Sequence, residues 1–279
     1  MVNLYFRFWD LQLRLCLGDN HLKPFLVALW GMYQKTVLQS GVTTLTYHLQ
    51  TDSSDGRTRY ALQVEENEPS PWVSFDDIFG LLNHQLSYNL INTCVSRCLF
   101  HSSAIVTPDE QVIMCVGDEE QGKTSLVLGL VERGYRFFSD DIVALNPETT
   151  QVEPLLVGLP VEKHTLERFP SFAGLKTKMP FLQLNHGIPC AEPAAYPISR
   201  VIFVERAMEG ETQLKPVSLA EAAGLWFQNW RNHYLYRQPP LDVVAGLAQQ
   251  TPAFRLTQVD LNHAVEQIEQ LETGRGFLP

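Results

Sequence analysis

The eight residues Gly117-Asp-Glu-Glu-Gln-Gly-Lys-Thr124 carry the spacing G-x-x-x-x-G-K-[ST]. Two glycines at that separation allow a tight backbone path whose successive N–H groups converge on phosphate oxygens. The lysine then reaches the outer phosphates of a nucleotide, and the neighbouring hydroxyl binds Mg²⁺. Context adds specificity. The apolar run 112–116 reads as a buried strand and 123–133 as a helix, so the loop lies where a helix dipole adds positive potential. The candidate nucleotide-binding residues are Gly117, Asp118, Glu119, Glu120, Gln121, Gly122, Lys123, Thr124 and Ser125. Three of them are acidic. Recognition through the backbone requires those side chains to face solvent, and Glu120 sits where an unusual backbone angle is needed.

A second group follows. Asp140 and Asp141 come 17 and 18 residues after Lys123. The helix carries the chain away from the loop and the next strand, 135–138, brings it back, so the aspartate pair returns beside the phosphates, where ligands bind in open α/β sheets. Adjacent side chains cannot share one face of a regular strand, so the pair must lie at the strand's end. One carboxylate there serves Mg²⁺ and the other a hydroxyl proton.

These groups need a scaffold. Upstream, 101–106 reads as a strand and 108–111 as a turn. Ser74 caps a helix with Asp77 in its first turn, running to about residue 99. The first 70 residues look like a separate α+β unit. Residues 3–17 alternate as a strand with one buried face, 21–33 as a short helix, and 42–49 and 59–64 as strands around the turn cluster Asp52-Ser-Ser-Asp-Gly56. The acidic, proline-bearing stretch 65–71 reads as a linker, giving domains of 1–70 and 71–279. Downstream, 142–200 is rich in proline and reads as loop, 201–205 as a strand, and 220–232 and 262–271 as helices.

With 45% hydrophobic and 19% charged residues, the chain has globular composition. Its net charge of −10, without any Lys/Arg run, argues against nucleic acid as a partner. The five cysteines lie mostly in apolar runs and read as free buried thiols. No apolar run reaches the length of a membrane span, and charges interrupt the N-terminal stretch, so a cytoplasmic protein is expected.

Together these residues resemble the HPr kinase/phosphorylase family and its HPr-kinase-related relatives, which include kinases of lasso peptide clusters. The resemblance rests on Leu99-Phe-His-Ser-Ser-Ala-Ile-Val106, on the loop 117–124, and on Arg133-Gly-Tyr-Arg-Phe-Phe-Ser-Asp-Asp141, with a weaker echo in 196–206. It implies an α/β fold: an HPr-kinase-like central sheet bearing the phosphate loop (P-loop), preceded by the small N-terminal unit. It also implies that Asp140 takes the acceptor's proton, that Asp141 assists Thr124 in holding Mg²⁺, and that His101 lies beside them. The family's usual small loop residues are replaced by Asp-Glu-Glu-Gln, and its glycine-containing C-terminal signature is not found, so the reverse, dephosphorylating reaction is not implied. The expected activity is ATP- and Mg²⁺-dependent phosphoryl transfer to a hydroxyl, such as a Ser of a peptide or protein. A nucleotide-binding regulatory or assembly module without catalysis, and a kinase of free serine or a nucleoside, remain open alternatives. The N-terminal unit is read as a docking or oligomerisation element, which leaves a homo-oligomer open.

Overall fold

The computed structural model describes residues 2–157, 159–160, 168–169, 172, 181–182, 188–238 and 241–274. Much of the proline-bearing stretch between 158 and 187 lies outside these. The chain is mixed α/β and divides into two compact units, the first built on Met1–Ser96, the second on Arg97–Leu156 and Ile188–Pro279.

In the first unit the residues read as one strand form a hairpin, β1 (Val2–Phe8) and β2 (Leu11–Leu17), reversing at Trp9 with φ +48°. Alternation continues on both sides of so short a turn, so the pattern alone does not reveal the reversal. The helix α1 (Lys23–Trp30) then leads through β3 (Gln34–Lys35) to β4 (Thr43–Asp52) and β5 (Arg59–Val64). The sheet order is β3-β1-β2-β4-β5, with β2 and β4 parallel. Trp30 meets Phe6 and Phe8 edge-on, at centroid distances of 5.4 and 5.9 Å.

The stretch read as a linker is held to this sheet: Ser70 N donates to Leu62 O at 2.8 Å, and Tyr60 and Val73 exchange hydrogen bonds. The helix α2 (Phe75–Thr93) is capped by Ser74 as expected, but ends at Thr93, short of residue 99, and belongs to this unit. Its Asn89 donates to the Tyr47 hydroxyl at 2.5 Å, and its indole acceptor Asn83 takes the Trp30 N–H at 3.1 Å. Beyond the helix, the Asp10 carboxylate accepts from Val95 N and Ser96 N, at 2.8 and 2.7 Å, turning the chain out of helical geometry.

The second unit is organised by β6 (Cys98–Val106), every residue of which is buried. Such a strand pairs on both edges and reads as a continuous apolar run. One edge meets β7 (Val112–Val116). The other is shared: β8 (Arg136–Ser139) pairs with residues 104–106, and β9 (Ile142–Leu145) with residues 98–101. The chain then continues through β10 (Gln151–Pro154) and the long β13 (Tyr196–Arg206); between them the two-residue strands β11 (Leu159–Pro160) and β12 (Phe181–Leu182) pair with each other and belong to the first unit. The remaining elements are β14 (Gln213–Pro216), α4 (Leu219–Gln228), α5 (Leu241–Gln250), β15 (Ala253–Gln258) and α6 (Leu261–Glu272). The helix α3 (Lys123–Glu132) follows β7. The sheet order is β10-β9-β6-β7-β13-β15-β14, and β10 also pairs with β13, closing five of the strands on themselves. Strands β7, β13 and β15 run parallel, so their C-terminal ends lie together beside the loop 117–122. The region 142–200 thus contributes three strands of this sheet where sequence pattern suggested loop, because short buried strands between prolines carry little periodicity.

Among the described residues no helix is long and apolar enough to cross a membrane. All five cysteines are free, and four of them are buried.

Candidate active site

The loop from Gly117 to Gly122 is shaped by what surrounds it. A Cβ at residue 117 would stand 2.6 Å from Val204 O, a backbone atom of the adjacent β13. Glycine alone lets the two strands approach there. Gly122 has φ +87°, with the buried Gln258 side chain against it. Glu120 takes φ +62°, the unusual angle expected of its position. Gln121 pins the loop from outside by accepting from Arg206 N at 2.7 Å. The side chains of Asp118, Glu119 and Glu120 are exposed, as backbone recognition of an anion demands. Gly122 offers α3 no side-chain cap, so the first-turn amides are not claimed by a cap from that position. Replacing Gly117 with Ala is expected to cost about 1–3 kcal/mol through overpacking against β13. Thermal unfolding of the variant checks this, and an unchanged midpoint would show that β7 and β13 can spread at no cost.

At the start of α3 the Lys123 side chain folds back into the loop. It is only 7% exposed, donates to Asp118 O at 2.6 Å, and lies 3.1 Å from His101 Nε2. Burial pulls the ammonium below its ordinary pKa, while the Asp140 and Asp141 charges pull it back up. Because the ammonium can only donate, His101 Nε2 is the acceptor and the ring proton is assigned to Nδ1. That nitrogen lies 3.1 Å from both the backbone oxygen and the carboxylate Oδ1 of Asp141. A line of donors therefore runs from Lys123 through His101 to Asp141.

The aspartate pair occupies the break between β8 and β9, opposite Ser102 and Ser103 of β6. Ser102 N donates to Asp141 O at 3.3 Å, and Asp141 has φ +69°. Left-handed backbone at a residue other than glycine is strained, and such strain gathers at functional sites. The bend sends the two carboxylates to different surroundings. Asp140 turns inward: Thr124 Oγ1 lies 3.0 and 3.1 Å from its two oxygens, and Ser103 donates to Oδ1. Burial, and next the Asp141 charge, hold the Asp140 carboxyl above its ordinary pKa, against the lowering effect of the Ser103 and Thr124 hydroxyls and Lys123. Asp141 turns outward, with a side chain 57% exposed.

The loop spacing points Thr124 at the metal, and the family resemblance implies Asp141 as its partner. In the structure the hydroxyl of Thr124 is instead partnered by Asp140. A hydroxyl and a carboxylate in contact suit Mg²⁺, a hard ion that takes oxygen donors and keeps several sites for water and phosphate. Ser125, half-buried in the first turn of α3, makes no side-chain hydrogen bond to the described residues. Ser103 and Gln258 were not singled out from sequence. The first could have been, since it shares a strand face with His101 at a spacing of two. The second follows only from the parallel pairing of β13 and β15.

No family model matches the chain. It is 37% identical over 91 residues to an HPr kinase/phosphorylase of Xanthomonas euvesicatoria, a match covering 33% of this chain and 27% of that protein. A Stenotrophomonas maltophilia HPr kinase/phosphorylase is 32% identical over 108 residues, covering 34% of this chain and 32% of the relative. Over about a third of its length, the chain is similar to these HPr kinase/phosphorylases. It matches only about a quarter to a third of the length of these relatives. The solved HPr(Ser) kinase/phosphatase of Coxiella burnetii aligns with 63% of this chain and 98% of its own, at 12% identity and a TM-score of 0.34.

Proposed function

We propose that this HPr-kinase-like chain is a phosphotransferase that binds ATP with Mg²⁺ and transfers the terminal phosphoryl group to a hydroxyl, most simply a Ser of a peptide or protein. The observation that carries this reading is the convergence of five side chains from three elements. Lys123 from α3, His101 and Ser103 from β6, and the aspartate pair from the β8–β9 break meet beside a loop bounded by Gly117, which the close approach of β13 requires, and by Gly122, with its positive φ.

The loop's amides and the start of α3 receive the phosphates. Lys123, now directed at Asp118 O, turns to the outer phosphate oxygens. Thr124 and Asp140 would hold Mg²⁺, which would supply neutralisation of charge on the phosphates. Asp141, exposed and oriented by His101, takes the proton of the incoming hydroxyl. The acceptor oxygen forms a bond to phosphorus as the bond from phosphorus to the bridging oxygen breaks, and ADP leaves. Such chemistry is mainly positioning and charge stabilisation. This assignment exchanges the roles of the two aspartates relative to the sequence-based expectation. The reason is geometric: the carboxylate in contact with Thr124 turns inward onto Ser103, and the exposed one is within reach of an external acceptor.

The experiment is an ATP titration by calorimetry with Mg²⁺ present, on wild type and Lys123→Ala. Affinity is expected to fall at least about tenfold, or ~1.4 kcal/mol. Equal binding by both proteins would remove the nucleotide reading altogether. ATP binding that depends on Lys123, without transfer to any hydroxyl, would leave a nucleotide-binding regulatory protein.

A further inference from the structure

A second cation faces the site from a part of the chain that carries none of the motifs. After α4 the segment 229–232 runs antiparallel along the start of β6. Phe100 and Trp230 form an isolated bridge flanked by two hydrogen bonds, His101 N to Asn229 O at 3.0 Å and Arg231 N to Leu99 O at 2.8 Å. The Asn232 carboxamide clamps the same strand, accepting from Leu99 N at 2.8 Å and donating to Arg97 O at 2.8 Å. Arg231 is therefore held by backbone contacts on both sides.

Strand geometry fixes where it leaves. The Phe100 and Trp230 rings lie together in the core, with centroids 6.3 Å apart. Residues next to a directly opposed pair point to the other face, so Arg231 and His101 emerge on the same face as diagonal neighbours. Lys123 meets His101 on that face. Lys123 and Arg231 therefore flank His101 together on that face. Arg231 is half-buried, and among the described residues no carboxylate pairs with its guanidinium. Two cations turned toward one half-buried space repel each other until an anion lies between them. A guanidinium adds a planar fork that matches two oxygens of a phosphoryl group.

We propose that Arg231 binds oxygens of the terminal phosphoryl group of the nucleotide, opposite Lys123, so that the site distinguishes a nucleoside triphosphate from a diphosphate. This rests on the nucleotide reading above. It adds a residue outside the segments that carry the family resemblance, and it gives the segment after α4 a role in selecting the nucleotide.

The test measures ATP and ADP dissociation constants by calorimetry for wild type, Lys123→Ala, Arg231→Gln and Arg231→Met. The two Arg231 variants keep the backbone pairing with β6, and the second also keeps most of the aliphatic stem; circular dichroism and melting check the fold of each. ATP affinity is expected to fall about tenfold in the neutral Arg231 variants, as for loss of a charge-assisted contact, with ADP affinity nearly unchanged. A wild-type preference for ATP over ADP in a folded neutral variant overturns the proposal. Weakened binding of both nucleotides to the same degree also overturns it, since that is the mark of a structural role. If Lys123→Ala binds ATP as wild type does, the nucleotide reading itself falls. If Lys123 matters and the ATP preference ignores Arg231, only the role of Arg231 falls.

Discussion

Replacing Asp141 with Asn is expected to lower single-turnover phosphoryl transfer by about 10²- to 10⁴-fold, the usual cost of removing a general base. Binding of ATP with Mg²⁺ should hardly change, because the loop, Lys123, Thr124 and Asp140 all remain. The expectation follows from the split between the carboxylates: Asp141 is exposed and accepts a hydrogen bond from His101 Nδ1, while Asp140 turns inward onto Thr124 and Ser103. Asn keeps the size and one oxygen but has no basic site. Rapid-quench measurement of transfer, beside an ATP titration on the same samples, separates the two effects. A wild-type rate in the variant would return the proton-accepting role to Asp140.

That split shows where sequence reading stops. The strand–loop–helix was legible because the spacing of the loop sits between a buried strand and a helix, and the structure places residues 117–122 between β7 and α3 with Gly117 close against β13, Glu120 left-handed and the acids facing out. The aspartate pair was legible as a strand end. Which aspartate faces which partner was not, because it depends on Ser102 N catching Asp141 O and on a positive φ, neither of which leaves a mark in residue order. The hairpin of β1 and β2 was missed for a related reason: a two-residue reversal preserves alternation. The strands β9, β10 and β15 escaped because each is short and draws its stability from pairing with distant partners. Gln258 comes beside the loop through the pairing of β13 with β15, and Arg231 comes beside β6 through the isolated Phe100–Trp230 bridge. The parts fixed by local chemistry could be read, and the parts fixed by β6 as a shared edge could not.

Replacing Asp140 with Asn should have a different signature, in which lost function accompanies gained stability. Transfer is expected to fall about 10²-fold or more, as when a preorganised electrostatic contact to the transferring group is removed. Unlike the Asp141 variant, this one should also lose the dependence of ATP binding on Mg²⁺. The nucleotide-free protein should then be more stable than wild type at neutral pH, by on the order of 1 kcal/mol, as often follows relief of a strained functional site. The sign comes from the raised pKa of Asp140. Folding raises this carboxyl's pKa, so between the unfolded and folded values the native state holds the extra proton, and wild-type stability falls as pH rises through that window. Below the unfolded pKa both states are protonated and the penalty is absent; above the folded pKa it is complete. Asn carries no such penalty, so the difference in melting temperature between variant and wild type should be small in acid and grow toward neutrality. Adding Mg²⁺ and ATP should reverse the order, since ligand binding stabilises only the protein that holds the metal. The measurement is a set of melting curves for both proteins across pH, with and without Mg²⁺ and ATP. A difference that shrinks as pH rises would show that Asp140 is charged and satisfied in the free protein, held by Thr124, Ser103 and Lys123 more strongly than burial opposes it.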